Sequence, residues 1–530
     1  MNTASRMEST GVPNRIQLSQ STADLLIEAG KEHWMIKRED KVKAKGKGEL
    51  TTFFLLSKNR RRNSSVRDEV TLGHESDAAD NKSGNPTANG VKRVQKRNRV
   101  ADWVVEMLDK LLKEMKAKRE LTGIKPDSQE TIEALESQTG GEHDGSINFT
   151  NDTVIDEVAD VLKLPMYAAN IVGSADTSSK KTTAPLDQDV MDELKDYVYS
   201  IASMYNNNPF HNFEHASHVS MSCIKLLNRI ASRDENYQDG TDHTYGICSD
   251  PLTSFAIVFS ALIHDVDHTG APNVQLVKEH SPVASTYKNK SVAEQNSIDV
   301  GWGLLMEPSY AKLRRHIYTT VSEYRCFRQL VVNAVMATDI CDKDLIKARN
   351  QRWDLAFSTP NNSSSLDDSS KIANNPGSRF ESVRQVNNRK GTVVIEHLIQ
   401  LSDVAHTMQH WHIYRRWNER LFEESYVAYA ECRSDNNPAD NWYKGEIGFF
   451  DFYIIPLAQK IKQCQVFGVS SDEYLSYALQ NRVEWEERGK ELVEEMSKKM
   501  DALHNAGISR QLLQLEMAVE ISGQSQNEMK

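Results

Sequence analysis

The chain of 530 residues has little cysteine, and what it has is dispersed. Cys223, Cys248, Cys326, Cys341, Cys432 and Cys464 form no C-x-x-C pair, which argues against a disulfide framework and against a thiolate zinc site. Such thiols fit a reducing compartment. Long apolar runs are missing too: a spanning helix needs roughly 18 consecutive apolar residues, and Phe255 to Ile263 is far too short. No basic region followed by an apolar core opens the chain at Met1 to Arg6, so no secretory leader is expected and a cytoplasmic location is the default. Positive charge is in deficit, with 64 Lys and Arg against 75 Asp and Glu and a net charge of -11. Wholesale coating of nucleic acid or of an anionic membrane is therefore disfavoured. Period-two alternation is nearly absent as well, which makes a parallel-sheet enzyme an unlikely reading.

What is present is organised in blocks. Residues 1–56 read as a short α+β piece, with a helical pattern at Ser21 to Ala29, a turn-prone stretch at Lys45 to Gly48 and a strand-like run at Leu50 to Leu56. Residues 57–98 are rich in Arg, Ser, Asn and Gly, with Arg60, Arg61 and Arg62 consecutive, and are expected to form a disordered basic linker. Residues 99–151 are expected to be a helix at Val100 to Met115 followed by a polar linker. Residues 152–500 carry helical periodicity almost throughout and predict an all-α domain, interrupted at 358–390 by a disordered Ser- and Asn-rich insertion, with 501–530 as a tail.

The chemistry-bearing residues gather in three places. His211 and His215 stand at i and i+4 where a helix begins, so both imidazoles share a face. His264, Asp265 and His268 follow directly on the apolar helix Ser254 to Ile263, and Asp403 closes the apolar stretch Ile395 to Leu401. Several ionisable groups beside apolar helices are costly to bury unless they are paired or bind metal. Imidazole and carboxylate donors without thiolate suit Zn²⁺, Mn²⁺, Fe or Mg²⁺, and a shared carboxylate can hold two ions.

Phe210-His211-Asn212-x-x-His215, His264-Asp265-x-x-His268-x-x-x-x-Asn273 and Asp403 together resemble the signature of class I 3′,5′-cyclic nucleotide phosphodiesterases of the HD superfamily. Ser291 to Glu294, Thr338-Asp339, Tyr414 to Trp417, Gly448-Phe449 and Asn481-Arg482-x-x-Trp485 extend the resemblance in order. It implies a compact multi-helix HD-type catalytic domain that hydrolyses cAMP or cGMP to the 5′-monophosphate. In that reading His215, His264, Asp265 and Asp403 bind a zinc ion, with Asp265 bridging to a second ion, Mg²⁺ or Mn²⁺. A metal-activated hydroxide would attack phosphorus while His211 acts as general acid on O3′. His268, Asn273, Glu294 and Thr338 would orient water and ligands around the metals. A homodimer is left open.

For the base, the resemblance implies a clamp of Phe449 and Leu421 with Trp485 near the rim. Two positions depart from the family pattern: Glu446 stands where glutamine is usual and His406 where asparagine is usual. A carboxylate only accepts hydrogen bonds, so Glu446 predicts a cGMP preference if it faces the base, or slight selectivity if it is turned outward. At the other end, Asn2-Thr3-Ala4-Ser5-Arg6 with Lys45 and Lys47 resembles the carboxy-terminal end of a class III nucleotidyl cyclase. Its metal-binding aspartates and most of its sheet are missing, so this piece is expected to be an inert remnant of a longer fusion, one whose upstream part could be anchored in a membrane.

Overall fold

In a computed structural model, the described residues are 17–28, 35–38, 42–44, 48–55, 86–139, 153–164, 185–231, 244–247, 250–357, 376–467 and 470–527. They fall into two compact units, Met1–Gly84 and Asn85–Lys530.

The first unit contains β1 (Gln17–Ser19), α1 (Gln20–Glu28), β2 (Met35–Lys37), β3 (Val42–Ala44), β4 (Gly48–Leu50) and β5 (Thr52–Leu55). β5 is the middle strand of an antiparallel sheet in the order β1-β5-β2, with Leu18 opposite Phe53 and Ile36 opposite Phe54. Its inward side chains Thr52 and Phe54 are buried, and the Arg38 guanidinium lies over the Phe54 ring at 5.3 Å. β3 and β4 pair separately as a hairpin. Asn2, Arg6, Lys45 and Lys47 lie outside the described residues.

The second unit is all-α among its described residues. Its main helices are α2 (Pro86–Thr122), α3 (Gln129–Thr139), α4 (Gln188–Met204), α5 (Phe213–Ala231), α6 (Pro251–Ile263), α7 (Val292–Met306) and α8 (Val321–Met336). They continue with α9 (Lys343–Phe357), α10 (Pro376–Asp403), α11 (Trp411–Ala430), α12 (Trp442–Phe449), α13 (Ile455–Gln463) and α14 (Ser470–Asn527). A π-helical turn, Phe450–Ile454, joins α12 to α13.

α6 is the centre of this unit because its sequence is apolar on every side. Each residue from Phe255 to Ile263 is buried, and a helix apolar all round must be enclosed. α2, α5 and α8 enclose it. Its start is fixed by Asp250, whose carboxylate accepts the Leu252 N–H, with Pro251 in the first turn. On the remaining side, Gly301 of α7 comes so close that an added Cβ would lie 2.9 Å from Ile263 Cβ. The C-terminal end of α6 is therefore held rigidly, and that end carries His264.

Several boundaries differ from those read in the sequence. The helix expected at Val100 to Met115 begins at Pro86, so 86–98 is not linker; residues 57–85 lie outside the described set. Ala101, Val104, Leu108, Leu112 and Met115 are buried in the same core as α4 and α6, which extends the compact unit upstream of residue 152. Once packing has nucleated a helix, adding residues at its end needs little further driving force. The same reason takes α10 back to Pro376 within the expected insertion and carries α14 through to Asn527 in the expected tail. Residues 358–375 lie outside the described set. The polar stretch after Thr122 contains α3, docked through Glu136, whose Oε1 accepts from Arg314 Nε at 3.1 Å and Tyr318 O–H at 2.6 Å.

Candidate functional site

Three local devices present the expected ligands. Asn212 caps α5, its Oδ1 accepting the N–H groups of Glu214 and His215 at 2.9 and 3.2 Å, so His215 enters in the first turn. His264 ends α6, and the chain then turns back through Asp267, whose φ of 63° an aspartate tolerates. Asp403 ends α10. Asn208 ties the first two loops together, its amide donating to the carbonyls of His211 at 3.0 Å and His268 at 2.7 Å.

These elements bring His215, His264, Asp265 and Asp403 together. His215 Nε2 lies 2.9 Å from Asp403 Oδ1 and 3.6 Å from Asp265 Oδ2. His264 Nε2 lies 3.1 Å from Asp265 Oδ2 and 3.4 Å from Asp403 Oδ1. It is buried and aligned for a hydrogen bond with neither. His264 Nδ1 faces the Ala261 carbonyl at 2.9 Å, which places its proton there and leaves the Nε2 lone pair pointing into the cluster. An orphaned imidazole nitrogen between two carboxylates, at the carbonyl end of a helix, is a donor set that fits a divalent cation. Burial opposes ionising the two aspartates, yet the neighbouring histidines hold both well below the usual carboxylate range.

His211 stands beside this cluster without joining it. Its Nδ1 is hydrogen-bonded to Glu424 Oε1, while Glu424 Oε2 accepts the backbone N–H groups of Phe210 at 2.8 Å and His211 at 2.9 Å. Burial works against a charge on His211, but the Glu424 carboxylate outweighs it and lifts the pKa to about 9. His268, whose ring centroid is 4.0 Å from that of His211, is pushed down to about 4 by burial and by the charge on His211. Glu294 is pushed up to about 8 by burial and Asp339, and accepts the Asn273 amide at 2.9 Å. The Thr338 hydroxyl donates to the Val335 carbonyl of its own helix.

A cavity of about 300 Å³ reaches His215 and Asp403, lined also by His406, His412, Arg416 and Trp417. A larger hollow of about 490 Å³, lined by Trp103, Met107, Met221 and Ile224, contains none of the ligating residues. The His406 ring centroid is 5.5 Å from that of Phe210 and 5.9 Å from that of Trp417, and burial with the charge of His215 pushes it down to about 3. It offers a neutral imidazole. Leu421 and Phe449 are half-buried, and Tyr453 stacks on Phe449 at 5.4 Å.

Glu446 is buried rather than turned outward, and its Oε2 accepts the Tyr414 hydroxyl at 2.5 Å. Burial raises its pKa to about 7, against the pull of Tyr414 and Asn418. Trp485, expected near the rim of the base clamp, is instead fully buried, packed on Tyr414 and Trp411 with its Nε1–H donating to the Tyr443 carbonyl at 3.1 Å. Gly489, whose added Cβ would fall 2.8 Å from Trp485 Cε2, leaves room for that ring.

The sequence reading missed Glu424, Asn208 and Asn418. Glu424 lies 213 positions from His211 in the chain, and nothing local distinguishes it from the other glutamates of α11.

Comparison with known proteins agrees with both resemblances. Residues 210–468 match the profile of the 3′5′-cyclic nucleotide phosphodiesterase family. Residues 1–57 match that of the adenylate and guanylate cyclase catalytic domain. A probable 3′,5′-cyclic-AMP phosphodiesterase of Caenorhabditis elegans is 25% identical over 279 residues, 50% of this chain and 35% of its own length. A dual specificity calcium/calmodulin-dependent 3′,5′-cyclic nucleotide phosphodiesterase of Mus musculus is 26% identical over 260 residues, 47% of this chain and 30% of its own length. The match thus spans about a third of these relatives. Among solved structures, the phosphodiesterase domain of the Salpingoeca rosetta rhodopsin phosphodiesterase is 20% identical, with a TM-score of 0.43, covering 58% of this chain and 83% of that one.

Proposed function

We propose that the second unit hydrolyses 3′,5′-cyclic nucleotides to 5′-monophosphates. The observation that carries this reading is a histidine held charged by a buried glutamate, His211 on Glu424, beside a compact His215, His264, Asp265 and Asp403 cluster. The family match supports it.

His215, His264, Asp265 and Asp403 would hold the first divalent cation, and Asp265 would be shared with a second. Such cations supply positive charge to the phosphate oxygens and make water a better nucleophile at neutral pH. The chain's own part is proton management. With Nδ1–H fixed on Glu424, the imidazolium of His211 has its Nε2–H free to donate. As water adds to phosphorus and the P–O3′ bond breaks, that proton passes to O3′, leaving the phosphate on O5′. Neutral His268 and the protonated Glu294 with Asn273 would orient water around the cations. The described cysteines are all free thiols and no described helix is long and apolar enough to cross a membrane; the thiols support the cytoplasmic reading.

The direct test is formation of 5′-AMP from cAMP and of 5′-GMP from cGMP by the purified chain with Mg²⁺, before and after chelation. Metal-dependent product supports the reading, and a folded, metal-loaded chain inert to both nucleotides refutes it.

The charge on His211 sets a further expectation. An acid must be protonated to act, so kcat/KM should fall as pH rises through the His211 pKa. Glu424→Gln removes the ionic partner and should shift that alkaline limb down by about 1–3 units, the usual reach of an opposite charge. Metal content should stay unchanged. An alkaline limb that does not move in the variant would remove Glu424 from this role.

A further inference from the structure

The cavity of about 300 Å³ beside the metal cluster has His215 and Asp403 on its floor and the exposed side chains of His218, His412 and Arg416 at its mouth. His211, Leu421 and Phe449 do not line it, so it is an approach to the cluster separate from the base clamp. Asp403 is the most open of the four expected ligands, its side chain 23% exposed against 15% for Asp265, 2% for His215 and 1% for His264. Each ligand on the floor is followed three residues later by a further imidazole. His218 follows His215 on the same face of α5. His406 follows Asp403 and is held by a hydrogen bond to the Asp403 backbone. The rings of His215, His218 and His406 surround the Trp417 indole, at centroid distances of 5.7, 5.2 and 5.9 Å. His412 stands in the first turn of α11. Much of the remaining wall, Val219, Ala405 and Ile413, has no electron pair to offer a cation.

We propose that this cavity is the passage through which the first divalent cation is loaded and released, with His412, His218 and His406 as its successive carriers. The inference deepens the metal-dependent phosphodiesterase reading and rests on it for the presence of the cation. Taking an ion out of water into an apolar channel is costly unless other donors replace the water. Neutral imidazole is the commonest side-chain donor to such ions and suits zinc, so each ring lowers the barrier by standing in for lost water. Among the described residues, His218, His406 and His412 belong to no group of three donors close enough to hold an ion, whereas His215, His264 and Asp403 form one. The three carriers are thus spaced to hand a cation on, and the cluster to keep it.

Charge at the mouth sets the pace. Glu214 on the α5 wall is paired with Arg420 at 3.4 Å, and the Arg420 guanidinium also lies over the Trp417 ring at 4.7 Å. That carboxylate is therefore largely offset. Arg416 is exposed and in no ion pair among the described residues, which leaves positive charge at the entrance. It opposes an arriving cation and a departing one alike, so it acts as a brake on exchange. The imidazoles act in the opposite sense, again in both directions. A barrier shared by entry and exit cancels in the ratio of the two rates, so carriers and brake change how fast the cluster fills and empties while its affinity stays nearly the same.

The test follows release of Zn²⁺ from the loaded chain to a chromophoric chelator by stopped flow, uptake of Zn²⁺ by the stripped chain, and the zinc Kd by competition. The double variant His218→Ala/His412→Ala, and separately His406→Asn, should slow uptake and release together by about 10-fold, the low end of what the lining of a cleft adds to the arrival rate of an ion. The zinc Kd should stay that of the parent. Ser222→Trp, which narrows the cavity from α5, should slow both rates as well, whereas Arg416→Gln should raise both. His218, His412 and Arg416 are exposed, so their variants leave the core intact, and the amide of His406→Asn can keep the hydrogen bond to the Asp403 backbone. Parental rates in the imidazole variants or in Ser222→Trp overturn the inference. So does a zinc Kd that weakens in step with faster release, which would make these histidines ligands. A chain that takes up no zinc refutes both the passage and the metal-dependent reading. If the rates respond as expected while the loaded chain hydrolyses neither cyclic nucleotide, the passage stands and the phosphodiesterase reading falls.

Discussion

His211→Ala is expected to lower kcat on cyclic nucleotides by roughly 10²- to 10⁴-fold, the range for a positioned general acid, while the metal content stays that of the parent chain. The imidazole is hydrogen-bonded to Glu424 and makes no contact that a cation between His215, His264 and Asp403 would need. The fold should tolerate the loss, because Glu424 keeps the Phe210 and residue-211 backbone N–H groups as partners. A phosphodiester with a nitrophenolate leaving group separates the two explanations of any loss. Nitrophenolate departs without a proton, so its release should be nearly as fast in the variant as in the parent. Equal losses on both substrates, or loss of metal by elemental analysis, would show that His211 is structural or a ligand.

Asp403→Asn is expected to weaken metal binding by more than about 100-fold. Groups that merely orient ligands already change affinity by roughly 10–100-fold when removed, and Asp403 is placed as a ligand itself. Its Oδ1 is within 2.9 Å of His215 and 3.4 Å of His264. The amide keeps the shape but removes a negative charge from a buried cluster. Activity should be lost at micromolar metal and return in part at millimolar metal, and chelation of the parent chain should have the same effect. A variant that retains parental metal content through dialysis would remove Asp403 from the ligand set.

The helices were legible where apolar residues recur at helical spacing. Val100 to Met115 and Phe255 to Ile263 are helical as their pattern predicts. Their ends were not legible, since Pro86 to Arg97 and Pro376 to Lys390 are polar enough to read as linker. These segments are helical because packed turns lie directly downstream. Trp485 illustrates a related limit: a motif places a residue in the chain, but the depth at which its ring lies depends on Tyr414, Trp411 and Gly489.

The sequence by itself determined the kinds of ligand. Histidines and aspartates without paired cysteines, set at helix ends, define an imidazole and carboxylate centre, because spacing along one helix or turn is a local property. Only the tertiary structure decided the proton inventory. Whether His211 is charged depends on Glu424, which reaches it from α11, and whether Glu446 holds a proton depends on its burial and on Tyr414 and Asn418. Desolvation and partner charges act through space, so a chain read in one dimension names the acids and bases and the fold sets their protonation.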